Sequence, residues 1–312
     1  MFTNKFMPMK NYQRLEGLVA ATFTPLTPTG DLNLDVIPSY ADHVAKSGIT
    51  GVFVCGTTGE ACSLTIEERK LILERWVKEA KDRFKVIAHV GDNSQRNAID
   101  LARHAAEKGA WGIASIAPNF FKPCSVDELI RFFKPIADGA PEIPFYYYNM
   151  PAMTGVDLPV AEFLQEGRKI IPNLVGTKFT HNNLMEMAQC LNLENKAFEV
   201  LHGYDETLIC GAALGVVAGI GSTYNYIPNV YNEIFNAVKS NDWEAARKWQ
   251  KKSVEIVEII IRYGGGVRGG KAIMNLIGIE CGVCRSPIAP FTKDEYNSLK
   301  EDLNKIGFFC KQ

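Results

Sequence analysis

Short runs of β-branched and aromatic residues alternate eight times with longer polar–apolar segments, and this alternation restricts the possible fold more than any other feature. The runs read as strands over residues 17–24, 51–55, 85–90, 112–117, 143–148, 173–178, 197–202 and 215–219. Between them, helical spacing predicts helices over 66–81, 95–108, 126–137, 183–191 and 206–213. Two of these open on a capping-box spacing, Thr65 with Glu68 and Ser125 with Glu128. Near-continuous apolar strands suit a parallel sheet covered on both faces. Eight strand–helix repeats therefore predict an α/β fold, a (β/α)8 TIM barrel. A doubly wound open sheet would usually place a glycine-rich turn after its first strand. The chain has Thr24-Pro25-Leu26-Thr27-Pro28 there. The barrel is expected over 15–225. Residues 226–312, with helices over 243–262 and 293–305, are expected as a helical C-terminal extension packed on it, since no low-complexity linker intervenes.

Charge and cysteine usage narrow the function classes. The 312 residues are 46% hydrophobic and 22% charged, with a net charge of −1 and no basic tract. Nucleic acid and anionic membrane surfaces are therefore not expected as partners. Residues 1–15 lack the apolar core of a secretion signal, and the apolar run over 254–261 is interrupted by Glu255 and Glu258. Eight cysteines fall in no framework spacing, which predicts free thiols and a cytoplasmic location. Cys281-Gly282-Val283-Cys284 is a single CxxC, read as structural. The five histidines show no metal-ligand spacing, so no metal is expected; His89, closing a strand, is the one candidate for a polar barrel position. The glycine-rich stretch 263–271 lacks the GxxxxGK[ST] pattern and follows a helix, so it reads as a helix–helix connection.

In such a barrel the chemistry sits where the strands end. The sixth strand ends in Lys178 and is followed by Thr180. A lysine closing an apolar run loses hydration, and dry surroundings favour the neutral amine that attacks a carbonyl to form an imine. A solvated strand-end lysine is the plainer alternative. The second strand ends in Cys55-Gly56-Thr57-Thr58-Gly59-Glu60, whose hydroxyls and backbone N–H groups could receive a carboxylate or phosphate. In Tyr146-Tyr147-Tyr148, alternation puts the first and third rings on one face, where a phenol can relay a proton or simply fill the barrel. The seventh strand leads to Gly203-Tyr204-Asp205-Glu206, where helix N-capping would account for Asp205. The eighth leads to Gly221-Ser222-Thr223. One amine, one phenol, an anion nest and a polar rim suit imine chemistry on an α-keto acid with a polyol tail.

The motifs Gly56-Thr57-Thr58-Gly59-Glu60, Tyr148-Asn149-Met150-Pro151, Lys178 and Gly219-Ile220-Gly221-Ser222-Thr223 resemble the N-acetylneuraminate lyase and dihydrodipicolinate synthase superfamily of pyruvate-dependent class I aldolases. The likeness covers about residues 15–305 and is greatest to the N-acetylneuraminate lyases. It implies that Lys178 forms a Schiff base with N-acetylneuraminate and that Tyr148 moves the proton for cleavage to N-acetylmannosamine and pyruvate. It further implies that Thr57 and Thr58 bind the carboxylate and that Thr180, Gly203, Asp205, Glu206 and Ser222 bind the sugar hydroxyls. No cofactor is implied, and a homotetramer is. Ala152-Met153-Thr154 follows Pro151 without the arginine of dihydrodipicolinate synthases, and Phe120-Phe121 stand where many members carry a tyrosine. A 2-keto-3-deoxy sugar acid aldolase and a non-catalytic sugar-acid binding protein are the competing readings.

Overall fold

The computed structural model describes residues 12–310. Eight parallel strands close on themselves in chain order: β1 (Gly17–Ala21), β2 (Gly51–Val54), β3 (Lys85–His89), β4 (Gly112–Ile116), β5 (Phe145–Asn149), β6 (Leu174–Phe179), β7 (Glu199–His202) and β8 (Ala218–Gly221). β8 pairs with β1, Ala218 opposite Gly17, so the sheet has no free edge. The expected (β/α)8 barrel is the observed fold.

Among the described residues twelve α-helices accompany the strands. They are α1 (Ile37–Lys46), α2 (Ile66–Ala80), α3 (Gln95–Glu107), α4 (Val126–Asp138), the single-turn α5 (Pro151–Thr154), α6 (Val160–Gly167), α7 (Leu184–Asn192), α8 (Leu208–Leu214), α9 (Pro228–Lys239), α10 (Trp243–Arg262), α11 (Gly265–Leu276) and α12 (Lys293–Lys305). The capping box of α2 forms in full: Thr65 accepts from the Glu68 amide, and Glu68 accepts from the Thr65 amide. At α4 Ser125 accepts from the Glu128 amide, but the Glu128 carboxylate takes the amide of Cys124 instead. α9 packs on α8 and β1 and so follows β8 around the ring. α10 lies along α9 and α8, and α11 and α12 pack on α10.

Two buried layers result. The outer one lies between strands and helices and holds Trp76, Phe133, Phe145, Tyr147 and Phe163 among many others. The inner one fills the barrel with Leu15, Val19, Phe53, Ile87, Tyr146, Tyr148, Leu201 and Ile220. Tyr146 and Tyr148 thus face inward, while Tyr147 packs outward with its ring 4.9 Å from that of Phe163, as strand alternation predicts.

The glycine-rich stretch corrects an expectation. Only Tyr263 and Gly264 connect helices, and from Gly265 onward the chain is α11. The glycines serve close approach. A Cβ on Gly270 would lie 2.7 Å from the Phe23 ring, and one on Gly269 would lie 3.0 Å from the Ile260 carbonyl oxygen. Their absence of side chains lets α11 lie against the barrel rim and α10.

Candidate active site

Lys178 is the next-to-last residue of β6, and its inward direction is set two residues earlier. Phe145 pairs with Leu174, but Tyr146 pairs with Gly176, so β6 carries one extra residue, Val175, at this point. Such a bulge reverses the alternation beyond it. Leu174 belongs to the outer layer, yet Lys178 stands opposite the inward Tyr148. With regular alternation Lys178 would have followed Leu174 outward. Glycine is required at the bulge, because a Cβ on Gly176 would lie 2.8 Å from the carbonyl carbon of Glu199 and closer still to its oxygen.

The side chain of Lys178 runs into an aromatic enclosure. Its Nζ lies 4.0 Å from the centre of the Tyr148 ring and 4.5 Å from that of Phe53, and the residue is 5% exposed. The ring faces attract the ammonium, while the enclosure keeps water from it. The Tyr148 ring is held edge-on by Phe53 and His89, at 5.7 and 5.8 Å between centres. The Tyr148 hydroxyl meets the Thr57 hydroxyl at 3.2 Å and the Met150 sulfur at 3.0 Å. Amine, phenol and first nest hydroxyl are therefore neighbours in one bowl.

The nest itself begins at Cys55, whose backbone is left-handed (φ 56°), and ends at Glu60, also left-handed (φ 58°). The Glu60 amide donates to the Thr57 carbonyl at 3.0 Å, closing the turn. Thr57 and Thr58 are half-buried at its tip. His89 anchors one side: its Nδ1 is 2.8 Å from the Cys55 carbonyl oxygen, which can only accept, so Nδ1 carries the proton. Burial, with the Arg69 charge adding to it, pushes this imidazole down to about 3, so the ring is neutral at pH 7.

The loops after β6, β7 and β8 complete the bowl. Thr180 is buried, and its hydroxyl has no partner within the protein. Gly203 lies against it, for a Cβ there would be 2.8 Å from the Thr180 Cβ and closer still to the hydroxyl. Asp205 is buried with Oδ2 accepting from the Thr223 amide at 2.9 Å and the Thr223 hydroxyl at 2.6 Å, while Oδ1 has no partner. Burial raises its carboxyl to about 6, against the opposing hydrogen bonds from Thr223. The expectation of N-capping by Asp205 is thereby corrected. Its carboxylate reaches across to the loop after β8 rather than to its own helix, because Gly221 leaves the space: a Cβ there would lie 2.7 Å from Oδ2. Glu206 is half-buried beside Tyr204, whose phenol is pushed up by burial and then by the Glu206 charge. Ser222 is half-buried across from α11, where a Cβ on Gly266 would be 3.4 Å from its hydroxyl.

A cavity of about 980 Å³ opens on the opposite face, lined by Arg14, Lys85 and Trp111 among others. It lies where strands begin, the end of such barrels associated with stability. Its Lys85 ammonium is already engaged, 4.7 Å above the Trp111 ring and 3.3 Å from the Arg14 carbonyl oxygen. Among the described residues no group of three or more His, Cys, Asp or Glu side chains is arranged to hold a metal ion. Cys281 and Cys284 are buried free thiols, both pushed up by burial, in line with a structural CxxC.

Three participants escape a reading of strand ends. Phe53 sits at an inward position of β2 and could have been found from alternation. Met150 follows the fifth strand and touches both hydroxyls of the bowl. The Glu60–Lys271 ion pair joins residues far apart in the chain, and nothing in the sequence links them.

Known proteins carry the same arrangement of elements. Residues 14–306 match the Dihydrodipicolinate synthetase family. The N-acetylneuraminate lyase of Gallus gallus is 44% identical over 298 residues, covering 94% of this chain and 97% of that protein. The structure of Proteus mirabilis N-acetylneuraminate lyase superposes with a TM-score of 0.92 at 35% identity, covering 95% of this chain and 100% of the other. That of the N-acetylneuraminate lyase (sialic acid aldolase) from Aliivibrio salmonicida gives 0.92 at 36%, covering 96% and 99%. With a family match across nearly its whole length, this chain belongs to the dihydrodipicolinate synthetase family.

Proposed function

We propose that this protein is a Schiff-base aldolase, an N-acetylneuraminate lyase that cleaves N-acetylneuraminate to N-acetylmannosamine and pyruvate. The observation that carries the chemistry is the buried Lys178 amine 4.0 Å from the Tyr148 ring, with the Tyr148 hydroxyl on Thr57. The substrate is taken from the likeness to lyases named for it, at 44% identity over almost the whole chain.

In this reading the Lys178 amine adds to the C2 ketone of the open-chain sugar acid, and the carbinolamine takes up a proton from solvent and loses water to leave a protonated imine. Thr57 and Thr58 hold the carboxylate. The phenolic oxygen of Tyr148 takes the C4 hydroxyl proton while its own proton passes to the carboxylate, a route the Thr57 hydroxyl lies beside. The C3–C4 bond breaks, its electrons move to the imine nitrogen, and N-acetylmannosamine leaves as an aldehyde. The enamine is protonated at C3, and water releases pyruvate and restores the lysine. Thr180, Gly203, Asp205, Glu206 and Ser222 bind the sugar. The unpartnered Thr180 hydroxyl and Asp205 Oδ1 support this, since buried polar atoms ordinarily have partners.

A homotetramer in the cytoplasm belongs to the same reading, as does a division into a barrel over 15–225 and an extension over 226–312. Free cysteines throughout the described chain agree with a reducing compartment. Phe120 and Phe121, 77% and 87% exposed, offer apolar surface that assembly would cover. Incubation with N-acetylneuraminate should release N-acetylmannosamine and pyruvate in equal amounts, and Lys178→Ala should release neither. Equal release by the Lys178→Ala variant would overturn the mechanism.

A further inference from the structure

The geometry points to Lys271, on α11 of the C-terminal extension, as a positioning residue for the carboxylate nest, acting through Glu60. This rests on the carboxylate role proposed for Thr57 and Thr58. Glu60 closes the nest turn, its amide on the Thr57 carbonyl, and holds a left-handed backbone that side chains other than glycine seldom adopt. Such a conformation persists only where the surroundings fix it.

The surroundings here come from the C-terminal extension. The Lys271 ammonium donates to Glu60 Oε1 at 2.7 Å and to the Val283 carbonyl at 2.6 Å, and both charged side chains are 1% exposed. The second carboxylate oxygen accepts from the Arg285 amide at 2.8 Å. The Arg285 guanidinium continues the strap to the Ser63 carbonyl at 2.8 Å, the Gly30 carbonyl at 2.9 Å and the Glu68 carboxylate. Gly270, next to Lys271, gives α11 its close approach to Phe23, two residues beyond β1. A buried pair costs desolvation, which hydrogen bonds on both partners must offset, so it is weak evidence for stability as such. Its hold on the residue that closes the turn carrying the two threonines gives it another use. It fixes the shape of the turn before the keto acid arrives, sparing the ordering that binding would otherwise require.

The test is the pyruvate dependence of borohydride trapping, read by intact mass, in the parent protein and in the double variant Glu60→Gln/Lys271→Met. Removing both charges avoids stranding either one. The clamp predicts a half-saturating pyruvate concentration raised about tenfold, the effect of one weakened hydrogen bond to a charge, with the same trapped plateau. A folded double variant with the parent's half-saturation, whatever its melting temperature, overturns the clamp alone. Absence of an adduct in the parent overturns the reading of the site and the clamp with it. If the double variant does not fold, hydrogen exchange of the parent decides. Protection by pyruvate over 56–63 that extends into 271–285 supports the clamp, and protection confined to 56–63 overturns it.

Discussion

Gly176→Ala is the smallest change that tests how the barrel aims its lysine. The added Cβ would stand 2.8 Å from the Glu199 carbonyl carbon and 2.9 Å from its amide nitrogen, where ordinary contact begins at 3.4 Å. The carbon alone therefore demands a shift of about 0.6 Å, and the nearer oxygen demands more. Neither neighbour can yield as a side chain would, since both are strand backbone paired in β7. β6 must move away from β7 or abandon the bulge. The first option displaces Lys178, two residues on, by a comparable distance. The second turns it toward the outer layer. A misplacement near 1 Å can cost about 10²-fold in rate, and overpacking of this kind about 1–3 kcal/mol in stability. Steady-state cleavage of N-acetylneuraminate should accordingly fall by about 10² or more, with a lowered melting temperature. The reasoning is refuted if Gly176→Ala matches its parent in both kcat/KM and melting temperature.

Tyr148→Phe should still form a trapped pyruvate adduct on Lys178 but lose about 10²–10⁴-fold in cleavage, the usual weight of a positioned proton relay; undiminished cleavage would remove Tyr148 from the mechanism. Thr180→Val replaces an unpartnered buried hydroxyl by a methyl group. It should leave stability equal or higher while raising KM for N-acetylneuraminate about tenfold, and an unchanged KM would show that the hydroxyl has no substrate partner. Glu199, buried at the start of β7 between the Leu15 amide and the Tyr146 hydroxyl, is raised by burial to about 8 from an ordinary 4.5. Its folded form holds the proton more tightly, so its contribution is complete below pH 4.5 and is lost as pH rises toward 8. Unfolding free energy should decline across that window by at most about 1.4 kcal/mol per pH unit from this group. Denaturant titrations of Glu199→Gln should show a flatter profile, and an unaltered slope would contradict the assignment.

The fold and the first ring of the site were legible because both follow from local pattern. Near-continuous apolar strands separated by helical periods specify a parallel barrel, and the ends of those strands carry Thr57, Tyr148, Lys178 and Thr180. What single-strand alternation could not supply was phase. The bulge at Val175 is visible only in how β5 pairs with β6, so spacing alone cannot give the inward direction of Lys178. Asp205 reads as a cap in the sequence because its true partner, Thr223, lies beyond the next strand. The Glu60–Lys271 pair was invisible for the same reason, and the glycines over 264–270 read as a connection because glycine is a poor helix former. Their reason for being helical is the close packing of α11 against Phe23 and Ile260, a tertiary effect.

Everything proposed for this site depends on Lys178 becoming covalently joined to the keto acid. The direct measurement is reduction with borohydride in the presence of pyruvate, followed by peptide mapping of the modified chain. The account predicts one reduced pyruvyl adduct per chain, located on Lys178 and missing from Lys178→Ala. An adduct on another lysine, or none with an enzyme that cleaves N-acetylneuraminate, would contradict it.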